Sequence, residues 1–136
     1  TGRRPSARWS VLLRYLFSRS RFTKSVEQNE LEGKPFPQSP EHSAVVGVRG
    51  SPLPKLKVFA EAEIGSSQFD DPLGERRLGS WWTTRLGGEF EVADDVTIHA
   101  RVDNLFDQEI TTGVSSVGLR SIGQPRSFWM GMNWAF

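Results

Sequence analysis

The stretch RSFWMGMNWAF, residues 126–136, repeats with a period of two. Its even positions hold Arg126, Phe128, Met130, Met132, Trp134 and Phe136, and its odd positions hold Ser127, Trp129, Gly131, Asn133 and Ala135. Successive side chains of a strand point to opposite faces, so the stretch predicts a strand with one large apolar face and one small or polar face. Chain ends are usually polar and fray in water. A strand this apolar must lay its even face against something other than water.

The same period runs through most of the chain. Glycine and proline clusters divide it into six predicted strands, joined as an antiparallel up-and-down meander. The first, Arg8–Phe22, sets Trp9, Val11, Leu13, Tyr15 and Phe17 on one face. Trp9, Leu12, Leu13, Leu16 and Phe17 also match helical spacing, so periodicity leaves strand and helix open for this segment. The second strand, His42–Arg49, aligns Ala44, Val46 and Val48, and the third, Leu56–Ile64, aligns Leu56, Val58, Ala60, Ala62 and Ile64. Between them GSPLPK is expected to turn, because proline does not sit inside a central strand. The fourth strand, Leu78–Val92, and the fifth, Val96–Val102, alternate in the same way, and the sixth runs to Phe136. Connections alternate long and short, which puts the long loops Thr23–Glu41, Gly65–Leu78 and Asn104–Gln124 at one end.

The other face carries Lys57, Glu61, Glu63, Arg85, Glu89, Glu91, His99, Arg101 and Asp103. Two arrangements satisfy such a sheet: a soluble one with water on the charged side, or a membrane barrel with lipid outside and a wet lumen. Hydrophobic residues make up 37% and the mean hydropathy is −0.42. No segment approaches the ~18 apolar residues of a membrane helix, whereas barrel strands average out as polar.

Other chemistry is sparse. The charges nearly cancel, 17 basic against 16 acidic, which argues against nucleic acid. Arg3, Arg4, Arg8, Arg14, Arg19 and Arg21 precede the first carboxylate, Glu27, but the interleaved Trp9, Leu13 and Phe17 disfavour that partner too. With no cysteine, disulfides and thiolate chemistry are excluded. His42 and His99 stand on different strands without metal-ligand spacing. Asp103, Asp107 and Glu109 read as turn and strand-end carboxylates. No nucleophile–base pair appears, so neither an enzyme nor a cofactor is expected.

Two motifs narrow the choice. ARVDNLFDQEI, followed by GQPRSFWMGMNWAF, resembles the C-terminal end of a TonB-dependent outer-membrane receptor. The closing strands of that family read V-x-N-L-F-D-x-x-Y, a loop, G-x-P-R, and an alternating strand ending in Phe. The matching residues are Val102, Asn104, Leu105, Phe106 and Asp107, then Gly123, Pro125 and Arg126, and finally Phe136. Upstream, LEGKPFPQSPEHSAVVGVR resembles the family's loop-to-strand entry through Gly33, Pro37, Pro40 and His42. RLGSWWTTRLGGEFEVADDVTIHARV resembles its penultimate hairpin. Ile110 stands where the family usually has Tyr, and Tyr15 is a lone tyrosine in a class normally rich in them.

The resemblance implies that residues 1–136 are the C-terminal portion of an all-β receptor barrel. About six strands would close a 22-stranded wall, with no plug domain, TonB box or signal peptide in this chain. Phe128, Met130, Met132, Trp134 and Phe136 would face outer-membrane lipid and form the signal read by the barrel-assembly machinery. The parent would import a scarce nutrient, such as a ferric siderophore, cobalamin or another metal chelate, with energy from the TonB complex. Its three long loops would be extracellular, with Arg76, Arg77 and Arg120 as contacts for an anionic chelate, since guanidinium forks suit such ligands. Arg19 and Arg21, at the outer end of the first strand, would meet lipopolysaccharide phosphates. This chain alone is not expected to transport, because open strand edges in lipid leave backbone groups unpaired at several kcal/mol each. A soluble antiparallel β-sheet binding domain and a small oligomeric β-barrel remain as alternatives.

Overall fold

The computed structural model describes residues 8–23 and 29–135. Arg3, Arg4 and Phe136 therefore lie outside the described residues. The strands are β1 (Trp9–Phe17), β2 (His42–Leu53), β3 (Leu56–Gly65), β4 (Gln68–Phe69), β5 (Arg77–Leu78), β6 (Trp81–Ala93), β7 (Val96–Asp103), β8 (Thr111–Val114), β9 (Arg120–Ile122) and β10 (Ser127–Trp134). Six of them form one antiparallel sheet in the order β1-β2-β3-β6-β7-β10. The first segment is a strand, which settles the ambiguity between helix and strand. It ends at Phe17 rather than Phe22, and a single bridge, Arg21 to Pro35, continues the pairing beyond it.

Register carries the two-residue period across the whole sheet. Val11 lies opposite Val48, Val48 opposite Ala60, Ala60 opposite Leu86, Leu86 opposite Val102, and Val102 opposite Phe128. A one-residue slip between β3 and β6 would turn the charged sides of the two halves of the sheet to opposite faces. Rings packed on glycines help to fix the register. A Cβ at Gly87 would meet the Phe59 ring at 2.6 Å, and one at Gly65 would meet the Trp81 indole at 2.5 Å, so only glycine fits beneath either ring.

Two details differ from the expected strands. Pro52 lies inside β2, not in a turn, and the register shifts between Gly50 and Leu53. A bulge is a place where a strand tolerates a residue that cannot donate to the ladder. Leu78 does not begin the fourth long strand; it belongs to β5, and β6 starts at Trp81. The paired ribbons β4–β5 and β8–β9 inside the long loops were not anticipated at all.

Among the described residues the sheet has no second layer. Among the described residues, Leu78 at 1% exposure is the only buried hydrophobic side chain, and it sits in a loop. Val11 is 78% exposed and Met130 84%. The chain exposes 10481 Å², whereas a compact globule of its 15.3 kDa would expose about 7,100 Å². The described residues thus leave the apolar face of six strands without protein cover. Tyr15, Phe17, Trp82 and Phe106 border it at the long-loop end, and Trp9, Phe90 and Trp134 towards the short-turn end. From Trp82 to Phe90 the strand rises about 27 Å, roughly 21 Å along the normal at the ~40° tilt of membrane barrels, close to their apolar band of ~25 Å.

Candidate functional site

The long loops meet at one end of the sheet, and each is held by its own chemistry. Asn104 closes the third. Its Nδ2 donates to the carbonyls of Gln108 at 2.9 Å and Gln124 at 3.1 Å, and its Oδ1 accepts from the Gln108 N–H at 2.9 Å. Asn104 has φ +51° and Asp107 +54°, the left-handed region that Asn and Asp tolerate better than most side chains. The Asp107 carboxylate accepts from the Arg126 N–H at 2.8 Å, the Leu105 N–H donates to Thr84 O, and the Phe106 ring lies 5.6 Å from that of Trp82. Asn104, Leu105, Phe106, Asp107 and Arg126 of the matched motifs therefore form the clamp at the foot of a loop. Pro125 sits between two clamped residues, Gln124 and Arg126.

Asp70 joins the three loops. Its Oδ1 accepts from Gln38 Nε2 at 2.9 Å and its Oδ2 from the Val114 N–H at 2.7 Å, while the Gln38 N–H donates to Phe69 O. The Gln38 amide, the Val114 N–H and the nearby Arg76 charge hold the Asp70 carboxyl below the usual carboxylate range. Burial pushes Asp71 up, but the N–H groups of Arg76 and Glu75, with the Arg76 guanidinium, outweigh it and leave Asp71 low as well. Those N–H bonds, 2.6 Å from Arg76 and 3.0 Å from Glu75, build the β4–β5 turn. Neither aspartate was singled out in the sequence, although FDDPLG carries the Asx-turn composition that marks such a site.

Beneath the loops, a cavity of about 470 Å³ opens on the charged face. Its lining includes Glu61, Glu63, Gln68, Trp81, Arg85 and Asp103. Arg85 bridges Glu61 at 3.1 Å and Asp103 at 2.9 Å, and Arg101 reaches Asp103 at 3.1 Å while its guanidinium lies 5.6 Å over Trp129. Nearer the short turns, Lys57 lies 3.5 Å from Glu89. The charged face is thus organised by cross-strand pairs rather than merely wetted.

The three arginines expected to contact a chelate stand on the two loop ribbons. Arg76 and Arg77 adjoin on the β4–β5 ribbon, Arg77 Nη2 donates to Ser67 Oγ at 2.8 Å, and Arg120 stands on β9 opposite Val114. None of them is among the residues lining the cavity. Arg19 and Arg21 lie beyond β1 and are engaged locally. Arg19 Nε is 3.5 Å from Glu41 Oε1, and Arg21 Nη1 donates to Gly33 O at 3.1 Å. Phe128, Met130, Met132 and Trp134 all lie exposed on the apolar face of β10. No group of three or more potential metal-ligating side chains occurs among the described residues.

The fold is that of the barrel wall of TonB-dependent receptors. The ferric yersiniabactin uptake receptor FyuA from Yersinia pestis superposes with a TM-score of 0.81 at 20% identity, covering 94% of this chain and 21% of that one. The ferric-catecholate import receptor Fiu from E. coli K12, in its closed form, gives 0.75 at 20% identity over 94% of this chain and 19% of that one. The siderophore receptor PiuA from Acinetobacter baumannii gives 0.75 at 20% identity over 93% and 19%. The chain spans about a fifth of the length of these receptors. Neither a protein-family model nor a curated protein matches the sequence.

Proposed function

We propose that this chain is a stretch of barrel wall, with three outer loops, of a receptor in the bacterial outer membrane that takes up a metal chelate with energy from TonB. The observation that carries the reading is the uncovered apolar face, continuous over six strands and bordered by aromatic rings at both ends. Water would leave that face unsatisfied, and lipid matches it. The outer edges of β1 and β10 have no partner strand among the described residues. In hydrocarbon each unpaired backbone group costs several kcal/mol, so further strands must flank both edges. Transport belongs to the complete wall, whose expected count is 22 strands.

The chelate class is supported by the fold's neighbours, described as receptors for ferric catecholate, ferric yersiniabactin and siderophore. They are import receptors rather than enzymes, and the reading includes no reaction. Arg77 and Arg120, on the loop ribbons, are the proposed chelate contacts; Arg76 serves the two aspartates first. Lipopolysaccharide phosphates are proposed for Arg19 and Arg21, since each guanidinium has five donors and spends few of them internally. The barrel-assembly machinery is proposed to read the β10 face together with Phe136.

An antibody against residues 65–79 tests the reading on fractionated cells. The expected result is a heat-modifiable band several-fold heavier than 15.3 kDa in the outer membrane, with ferric chelate uptake lost on deletion. A 15.3 kDa band in the soluble fraction would mean a soluble sheet. A heat-modifiable oligomer of such units would mean several copies closing a ring across the open edges.

A further inference from the structure

The cavity under the loops has a charge balance that the ion pairs around it do not close. Arg85 and Arg101 together satisfy Glu61 and Asp103, which makes a neutral group of four. Glu63 is left over. It lines the same cavity, half-buried, and no hydrogen bond or ion pair reaches its carboxylate from the described residues. Arg14, on the same face, stands beyond Val45 in the register, two strands from Glu63. Two further features surround this carboxylate. Gln68 also lines the cavity, and its buried Oε1 has no hydrogen-bond partner among the described residues. Trp81 lies diagonal to Glu63, because Trp81 faces Gly65 while Thr83 faces Glu63, and its ring packs against Gly65.

We infer that the cavity binds a cationic hydrogen-bond donor, an ammonium or guanidinium group carried by the ligand, with Glu63 as counter-ion, Gln68 as acceptor and Trp81 as aromatic wall. An unpaired carboxylate beside an unfilled acceptor is matched by a group that is both positive and rich in N–H bonds. An indole alongside adds attraction for the same charge. The volume of about 470 Å³ lies within the ~300–1,000 Å³ of small-molecule sites. The inference rests on the proposed uptake of a chelate and refines it. The loop arginines suit the anionic part of such a ligand, and this cavity suits an amine-bearing arm.

The test uses the full receptor carrying this chain, in outer-membrane vesicles, and two probes. One is a ferric trihydroxamate with a terminal primary ammonium; the other is the same chelate with that amine acetylated. The ammonium form should bind about ten-fold tighter, about 1.4 kcal/mol. The preference should fall to within about two-fold in Glu63→Gln and recover in part in Glu63→Asp, with heat-modifiable migration unchanged in both. Equal binding of the two probes by the wild type, or a preference retained in Glu63→Gln, overturns the inference. So does Glu63→Gln lowering thermal stability while leaving probe binding alone, which would assign the cavity to a cationic side chain of the parent polypeptide. Absence of binding by either probe also overturns it, while the outer-membrane reading stands or falls separately on the fractionation.

Discussion

The Nδ2 of Asn104 donates to the carbonyl oxygen of Gln124 at 3.1 Å, so one side chain ties the two feet of the third loop together. At 5% exposure, with φ +51°, Asn104 is buried in a conformation that few other residues adopt. Asn104→Ala should leave the carbonyls of Gln108 and Gln124 and the Gln108 N–H without this partner. The expected loss is on the order of 2–3 kcal/mol, read by urea unfolding of the lipid-refolded receptor. Asn104→Gly keeps the backbone conformation and should fall between the two. An alanine variant as stable as the wild type would refute the clamp.

Asp70, which joins three loops through Gln38 and Val114, should make the loop assembly acid-sensitive. Its folded-state pKa lies below 3.8, so its stabilising contribution is complete above that value and is lost as pH falls through the lower folded value. Asp71 acts in the same direction. A nitroxide at Ser116 should be restricted at pH 7 and gain mobility only below about pH 4. In Asp70→Ala it should already be mobile at pH 7, leaving only the titration of Asp71. A label whose mobility is identical in both proteins across that range would show that Asp70 joins nothing.

Gly87 tests the register. A side chain there meets the Phe59 ring at 2.6 Å and the Ala100 carbonyl oxygen at 2.8 Å. Gly87→Val should destabilise by about 1–3 kcal/mol or more and lower the amount of heat-modifiable receptor. Adding Phe59→Ala should rescue only part of the loss, because the carbonyl remains. Full rescue would place the whole conflict in the ring.

Leu86→Arg separates lipid from water on the apolar face. Leu86 pairs with Ala60 and Val102 in the middle of the sheet. In a bilayer the arginine should cost roughly 2–4 kcal/mol; on a solvated face it would be near neutral. The difference is read by comparing its unfolding in lipid with that of Leu86→Met.

The long strands were legible because one rule, alternation, fixes both element and face. Ile98, Ala100 and Val102 could be told from Thr97, His99 and Arg101 without coordinates, and the turn after Ala93 followed from ADD. The two loop ribbons were not legible: β4, β5 and β9 hold two or three residues each, too short for a period to emerge. Pro52 misled because the rule against proline in strands relaxes at a bulge. Asn104 and Asp107 were found through their motif, yet their role as loop clamp needed the hydrogen bonds. Asp70 went unnoticed because its partners, Gln38 and Val114, come from two distant loops, and no local pattern encodes such a meeting. Arg76, Arg77 and Arg120 follow from their place in long loops and from guanidinium geometry, whereas the lack of a partner at Glu63, within a strand, is visible only once the ion pairs of Arg85 and Arg101 are drawn.

In the proposed barrel wall one face of this sheet meets lipid and the other a polar interior. Nitroxides placed singly at residues 97–102 of the receptor in a bilayer test it directly. Collisions with oxygen are expected at Ile98, Ala100 and Val102, with protection of those sites from a water-soluble nickel complex, and the reverse or neither at Thr97, His99 and Arg101. Free access of the nickel complex to Ile98, Ala100 and Val102 would contradict it.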